Sequence, residues 1–447
     1  MKKQPLIIMI SFFTAAIVAT GAFAAKNLLC LNVARSEMQN GFTASLDAVT
    51  DGTERLSISL NKARNAVTDG FFITSLCEVR SAAEGIISAL DMLPEKNECS
   101  LLIVSEVAKI ADYADTLIQK AANGREVSDS ELEVLSSLTE GVGLLDESFK
   151  TLKRSIKDGK TDLSELFAFS ECSYPDGAVS YSDTVSGWKE GLLEFPVLNY
   201  DGKYSDHLKN AELLFLKDKE PMEASSLHSA AAELFELSEE ELSDPLSREG
   251  EKHLGYLHGG VSAAFSESGY LISYISECEK GEATVSPSEA EKTAKEFAKK
   301  YGYEDLETSL SRTEGNIAVF ELIPAENGIY CYGDCVKVGV SLTSGKVVSF
   351  FAGDYVKNHD GISLEFPHTE EEAAALLSDF DIISSKKAVI TTAGGVKAPC
   401  YEFKVRAKNT AYGNGEHELL IYINAEDLAQ EETVVLYETE NGSFMIK

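Results

Sequence analysis

The sequence predicts an α+β multidomain protein. A membrane-anchoring helix comes first, then an antiparallel helical bundle, then three tandem units, each a helix packed on a small antiparallel sheet. Three observations predict this. One uncharged run, Leu6 to Ala25, follows Lys2 and Lys3. Apolar residues then recur at alternating steps of four and three for more than a hundred residues, a helical seam. Beyond residue 207 the period changes, and a helix followed by alternating strands occurs three times. The expected divisions are 1–26 for the signal-anchor segment, 32–158 for the bundle and 159–194 for a linker. The units follow at 195–281, 282–361 and 362–447.

The uncharged run is long enough to cross a bilayer as a helix. Lysines before it favour an inside N-terminus, which places the rest of the chain outside that membrane. Ala22-Phe23-Ala24 also fits a signal-peptidase site, so a cleaved signal is the competing reading, and either way the chain is exported. The net charge of −33 argues against nucleic acid as a partner and against electrostatic binding to anionic lipid.

The first bundle seam is Phe42, Leu46, Val49, Thr53, Leu56, Leu60, Ala63 and Val67. A second runs from Ile73 through Leu76, Val79, Ala83, Ile86 and Leu90 to Leu93, with Pro94 ending its helix. A third joins Leu102, Val107, Ile110, Tyr113 and Leu117. Ser128 with Glu131 reads as a capping box for a fourth helix, striped by Leu132, Leu135, Val142, Leu145, Phe149, Leu152 and Ile156. Short connections make these an up-down antiparallel bundle. In the linker one short helix is expected, with Trp188 as a packing anchor.

Phe195 to His207 reads F-P-V-L-N-Y-D-G-K-Y-S-D-H. It is expected as a short extended run to Tyr200, a turn at Asp201-Gly202, and a cap from Ser205 or Asp206 for a helix near His207. The first unit then has a helix starting at Glu223-Ala224, a strand through Val261, Ala263 and Phe265, a turn at Ser268-Gly269, and a strand to Ile275. The second opens at Ser286-Pro287, with a strand over Ile317 to Ile323 and a hairpin turning at Ser344-Gly345. The third has a helix start at Glu372-Ala373, then strands over Tyr401 to Val405, Leu419 to Ile423 and Thr433 to Tyr437.

The repeated unit resembles the PepSY domain, and the whole order of parts resembles the YpeB-type spore germination proteins. The carrying residues are the Phe195 to His207 stretch, similar to F-P-x-L-x-Y-D-G-x-[FY]-S-[DE]-H, and the segment from Cys335 to His359. That segment contains V-K-V-G-V-S-L-T-S-G-K-V-V-S-F and Y-V-K-N-H. Cys331-Tyr332-Gly333-Asp334-Cys335 and Asn199 depart from the pattern. The resemblance implies a non-enzymatic protein at the spore inner membrane, on the cortex side. Its implied partner is a cortex-lytic enzyme, a SleB-type peptidoglycan hydrolase that it binds and stabilises, localises or restrains. Other readings are an exported sensor with a ligand-binding helical ectodomain, and a PepSY-based protease inhibitor. Release of the partner is expected by cleavage in Asp158 to Glu194 or Gly281 to Ser286.

For chemistry, the chain has no nucleophile elbow, phosphate loop, dinucleotide fingerprint or H-E-x-x-H. No catalytic residue and no cofactor is therefore expected. Adjacent Ser205-Asp206-His207 has the residue types of a triad, but neighbours in sequence cannot ordinarily converge. Asp201, Asp206 and His207 could hold a metal, against the simpler reading of a turn and a cap. The candidate partner-contact residues are Tyr200, Asp201, Gly202, Tyr204, Ser205, Asp206 and His207, with Asn358 and His359. Cys331 and Cys335 could close a small disulfide loop outside a membrane; two free thiols or a metal site are the alternatives.

Overall fold

The computed structural model describes the chain except residues 1–3, 94–97, 164–165, 167–177, 191–194, 207, 209–211, 247–252, 280, 362–363, 408–417, 440–441 and 447, and the side chains of residues 4–19, 21, 22, 24, 25, 28, 32, 35, 162, 189, 190, 407, 438, 439 and 442–446. Its contacts divide it into two compact units, Met1–Asp206 and His207–Lys447.

The first unit is helical: α1 (Gln4–Arg64), α2 (Asp69–Asp91), α3 (Glu98–Ala122) and α4 (Asp129–Lys157). They are neighbours in the order α3, α2, α1, α4. The pairs are antiparallel, as Lys62 with Glu78 and Lys153 with Asp47 show. Seam residues from Phe42 to Ala63 are buried, whereas Val67 is 95% exposed because α1 stops at Arg64. The Ser128–Glu131 capping box forms at the start of α4. Among the described residues no helix is long and apolar enough to cross a membrane. The expected anchor, Leu6 to Ala25, falls almost wholly on side chains outside those described.

The stretch after α4 builds a fifth element of this core. Parallel strands β1 (Thr161–Asp162) and β2 (Val179–Ser180) pair, and α5 (Tyr181–Ser186) follows. Tyr181 sets its ring edge-on against Phe42, at 5.6 Å. Trp188, in a 3-10 turn, does the same to Phe149 at 5.0 Å, so it packs as expected. Leu198 and Tyr200 join the same buried cluster.

The second unit carries α6 (Ala224–Leu234) with β3 (His253–His258), β4 (Val261–Ser266) and β5 (Leu271–Ile275). Next come α7 (Pro287–Lys300), β6 (Leu306–Glu314), β7 (Ile317–Glu326), β8 (Ile329–Cys331), β9 (Val336–Ser341), β10 (Val347–Phe351) and α8 (Gly353–Asn358). Last are α9 (Glu370–Ala374), β11 (Phe380–Thr391), β12 (Lys397–Ala407), β13 (Glu418–Asn424), β14 (Gln430–Thr439) and β15 (Gly442–Ile446). The helix-then-strands order is the expected one, but three separate small sheets do not form. All these strands join one 13-stranded sheet, in the order β3-β4-β5-β10-β9-β7-β6-β15-β14-β13-β12-β11-β8. β5 pairs antiparallel with β10, β8 pairs parallel with β11, and β8 also returns to β7. The reason is the edge problem: a three-stranded sheet leaves unpaired backbone at its margin, and a neighbouring strand satisfies it.

α6 and α7 share one core with these strands, around Leu227, Ala294, Phe265 and Phe350. Beyond it, side chains of β12 and β13 alternate. Tyr401, Phe403, Ile421 and Ile423 pack with Ala373 and Leu377, while Cys400, Leu420 and Tyr422 pack on the opposite face with Tyr332.

Candidate functional site

The signature stretch is a turn clamped onto α3. Phe195 lies against Gly141 of α4, where an added Cβ would stand 3.0 Å from the ring. Tyr200 donates from its hydroxyl to Asp112 Oδ2 at 2.8 Å and meets Tyr113 edge-on at 5.2 Å. Thr116 Oγ1 donates to the Asp201 carbonyl, and the Tyr204 amide donates to Asp112 Oδ2 at 3.0 Å. Gly202 is required by space: a Cβ there would reach 2.2 Å from the Tyr200 ring and 2.5 Å from Asp112.

Ser205 and Asp206 close the turn on itself. Ser205 Oγ accepts from the Tyr200 amide and donates to the Leu198 carbonyl, both at 3.0 Å. Asp206 Oδ2 accepts from the Leu198 amide at 2.9 Å. Its other oxygen meets Lys109 Nζ at 2.9 Å, and Lys109 also meets Glu106 at 2.8 Å. These side chains hold the turn to the bundle, and the helix expected near His207 falls largely outside the described residues. His207 lies outside the described residues, as does any triad or metal geometry through it. Among the described residues no group of three or more His, Cys, Asp or Glu could hold a metal ion.

Electrostatics make this clamp specific. Burial works against the Lys109 ammonium, but hydrogen bonds to Glu106 and Asp206 hold its pKa above the ordinary lysine value. Burial, with Asp112 beside it, pushes the Tyr200 hydroxyl up, so it remains a donor. What stays outward is Asp201, Lys203 and Tyr204, the last 47% exposed.

Asn358 and His359 belong to the second unit and build a different cluster. Asn358 Nδ2 donates to the Gly333 carbonyl at 2.7 Å. His359 Nδ1 meets Asp334 Oδ2 at 2.9 Å, and its ring stacks on Tyr355 at 4.3 Å. Lys397 of β12 reaches both Asp334, at 3.4 Å, and Asp360, at 2.5 Å. Asp334 is fully buried, and its Oδ1 has no hydrogen-bond partner. Gly333 fits only without a side chain, since a Cβ would fall 1.7 Å from Thr391 Oγ1. The flanking Cys331 and Cys335 are buried free thiols, which replaces the disulfide alternative. Burial pushes each thiol up to about 12, so neither is a ready nucleophile.

Lys109, Glu106, Asp112 and Lys397 were not legible as site residues. A signal did exist on α3, where acid, base and acid stand three apart beside the buried stripe.

The family described as YpeB sporulation, PepSY1 and PepSY2 domains matches residues 182–364, which include the clamped turn and the Asn358–His359 cluster. The chain is similar, over this region, to the YpeB sporulation proteins. Sporulation protein YpeB of Halalkalibacterium halodurans is 30% identical over 176 residues, 39% of this chain and 38% of that protein. That of Bacillus subtilis is 29% identical over 178 residues, again 39% and 38%. These matches therefore span well under half the length of either relative. YpeB of Oceanobacillus iheyensis is 25% identical over 338 residues, 74% of this chain and 69% of the relative. The solved Bacillus megaterium YpeB C-terminal domain is 21% identical with a TM-score of 0.40, covering 48% of this chain and 99% of that one. The YpeB match ends at residue 364, so a third PepSY-like unit rests on the order of helix and strands alone.

Proposed function

We propose that this YpeB-type chain acts in spore germination as a non-enzymatic ectodomain, tethered by its N-terminal segment at the spore inner membrane. There it binds a cortex-lytic peptidoglycan hydrolase of the SleB type and stabilises, localises or restrains it until germination. The observation that carries this reading is the match of residues 182–364 to the YpeB PepSY region. Within it Tyr200, Gly202, Ser205 and Asp206 hold the turn to the bundle. Tyr204 and Lys203, on the outer side of the turn, are then the contacts a partner would meet.

Cleavage between Asp158 and Glu194, outside the packed α5 and Trp188, would release the partner. Gly281 to Ser286 is a poorer release site than its sequence suggests, because the Thr284 and Val285 amides both donate to the Leu342 carbonyl. The test is deletion of the gene in its spore-forming host, followed by blotting of dormant spores for the candidate hydrolase. Loss of the hydrolase, restored by the wild-type chain but weakly by a Tyr204→Ala variant, is the expected result. Normal amount and placement of the hydrolase would remove the proposed partnership.

A further inference from the structure

We propose that two copies of the chain pair in parallel through the N-terminal part of α1, residues 26–41. The bundle does not use this stretch. No described side chain of α1 before Phe42 is buried, and Phe23, Leu29, Leu31, Val33 and Met38 are between 48% and 67% exposed. Residues 26–41 rise about 24 Å along the helix. A lone helix of that length with exposed large apolar side chains is marginal in water. It therefore calls for a partner.

The occupant follows from an interface already present. On α1, Ser45, Gly52 and Ser59 recur every seven residues on the flank that meets α2. Gly52 lies under Ile86, where a Cβ would come within 2.7 Å, and Ser59 reaches Glu78. Counting back by seven from Ser45 gives Met38 and Leu31, with Ala34 and Gly41 between. This is a four-three stripe, the pattern that packs helix on helix. α2 ends at Asp91, opposite the start of the buried seam, so among the described residues the stripe continues without a partner helix. A second α1 carries the same stripe and satisfies it symmetrically. The pairing is parallel because in each copy the stretch directly follows the uncharged run Leu6 to Ala25. Only Lys26, Arg35 and Glu37 are charged between residues 26 and 41, so little repulsion opposes the approach.

The test uses the full chain in phosphatidylcholine discs, with competing thiols removed as Cys30→Ser, Cys77→Ser, Cys172→Ser and Cys278→Ser. Single cysteines are then placed as Leu31→Cys, Met38→Cys and, on another side of the helix, Val33→Cys. Under copper–phenanthroline oxidation, Leu31→Cys and Met38→Cys should give a species of twice 48.5 kDa, and Val33→Cys should not. Leu31→Asp with Met38→Asp should abolish the dimer by mass photometry. Its urea midpoint should be unchanged, since the buried seam begins at Phe42. A monomer mass for the wild-type chain overturns the proposal, with bilayer contact then the use of the stripe. Equal crosslinking at all three positions overturns it as well.

Discussion

Lys109 is one buried cation serving a buried carboxylate, Glu106, and a partly buried one, Asp206. Removing it leaves Glu106 and Asp206 facing each other without compensation, the costly way to break an internal ion pair. Lys109→Met should therefore destabilise the first unit by about 3–5 kcal/mol in urea unfolding. Asp206→Asn should cost less, since the amide oxygen still accepts from either Lys109 or the Leu198 amide and Lys109 keeps Glu106. A Lys109→Met midpoint equal to wild type would show that the clamp carries no stability. The raised Lys109 pKa also fixes a sign: its contribution is complete below the ordinary value of 10.5 and is lost as pH rises through the folded-state value. The sequence marked Asp201-Gly202 as a turn on local grounds, correctly. It could not show that Gly202 is demanded by the Tyr200 ring and Asp112, because Asp112 stands ninety residues earlier in the chain.

At the scale of elements, three helix starts share one device. Ser128 with Glu131, Ser286 with Glu289, and Thr369 with Glu372 each form a reciprocal capping box. Hydrogen bonds within each box help hold the glutamate below its ordinary value of 4.5; at Glu131 burial opposes this, and the hydrogen bond from Lys120 lowers it more than the box does. A lowered carboxylate contributes fully above pH 4.5 and loses its contribution as pH falls through the folded-state value. Acid should therefore loosen α4, α7 and α9 at their N-termini first. Deuterium exchange at pH 3.5 against pH 6, read at the first-turn amides, checks this; equal protection at both would refute it. The Ser128–Glu131 box was legible because its partners stand three residues apart, whereas at Ser286 and near Glu372 only a helix start was read. The four bundle helices were legible for a related reason, since a seam repeats within one element. Val67 shows the limit: its spacing is right, but the helix ends before it.

At the scale of the whole molecule, strand partners were the least legible feature. Nothing within β5 names β10, and nothing within β8 names β11. What the sequence does give is units too small to cover their own edges. The junction of β8 with β11 is reinforced by Lys397, which joins the hairpin of β11 and β12 to Asp334 and Asp360. Lys397→Met should leave buried Asp334 with His359 alone and destabilise the second unit by roughly 3 kcal/mol. Exchange at the Tyr332 amide, which donates to Val389, should accelerate. An unchanged rate there would show that the junction is held by strand pairing alone.

The clamped turn also has a mechanical meaning. A chain pulled out of a folded body peels from its last contact, and within the first unit the last described clamp is Asp206, fixed to Leu198 and to Lys109. Tension arriving from residue 207 would thus load the middle of α3 before it could unravel residues 159–194. The turn is a strain relief, like the grip where a cable enters its housing.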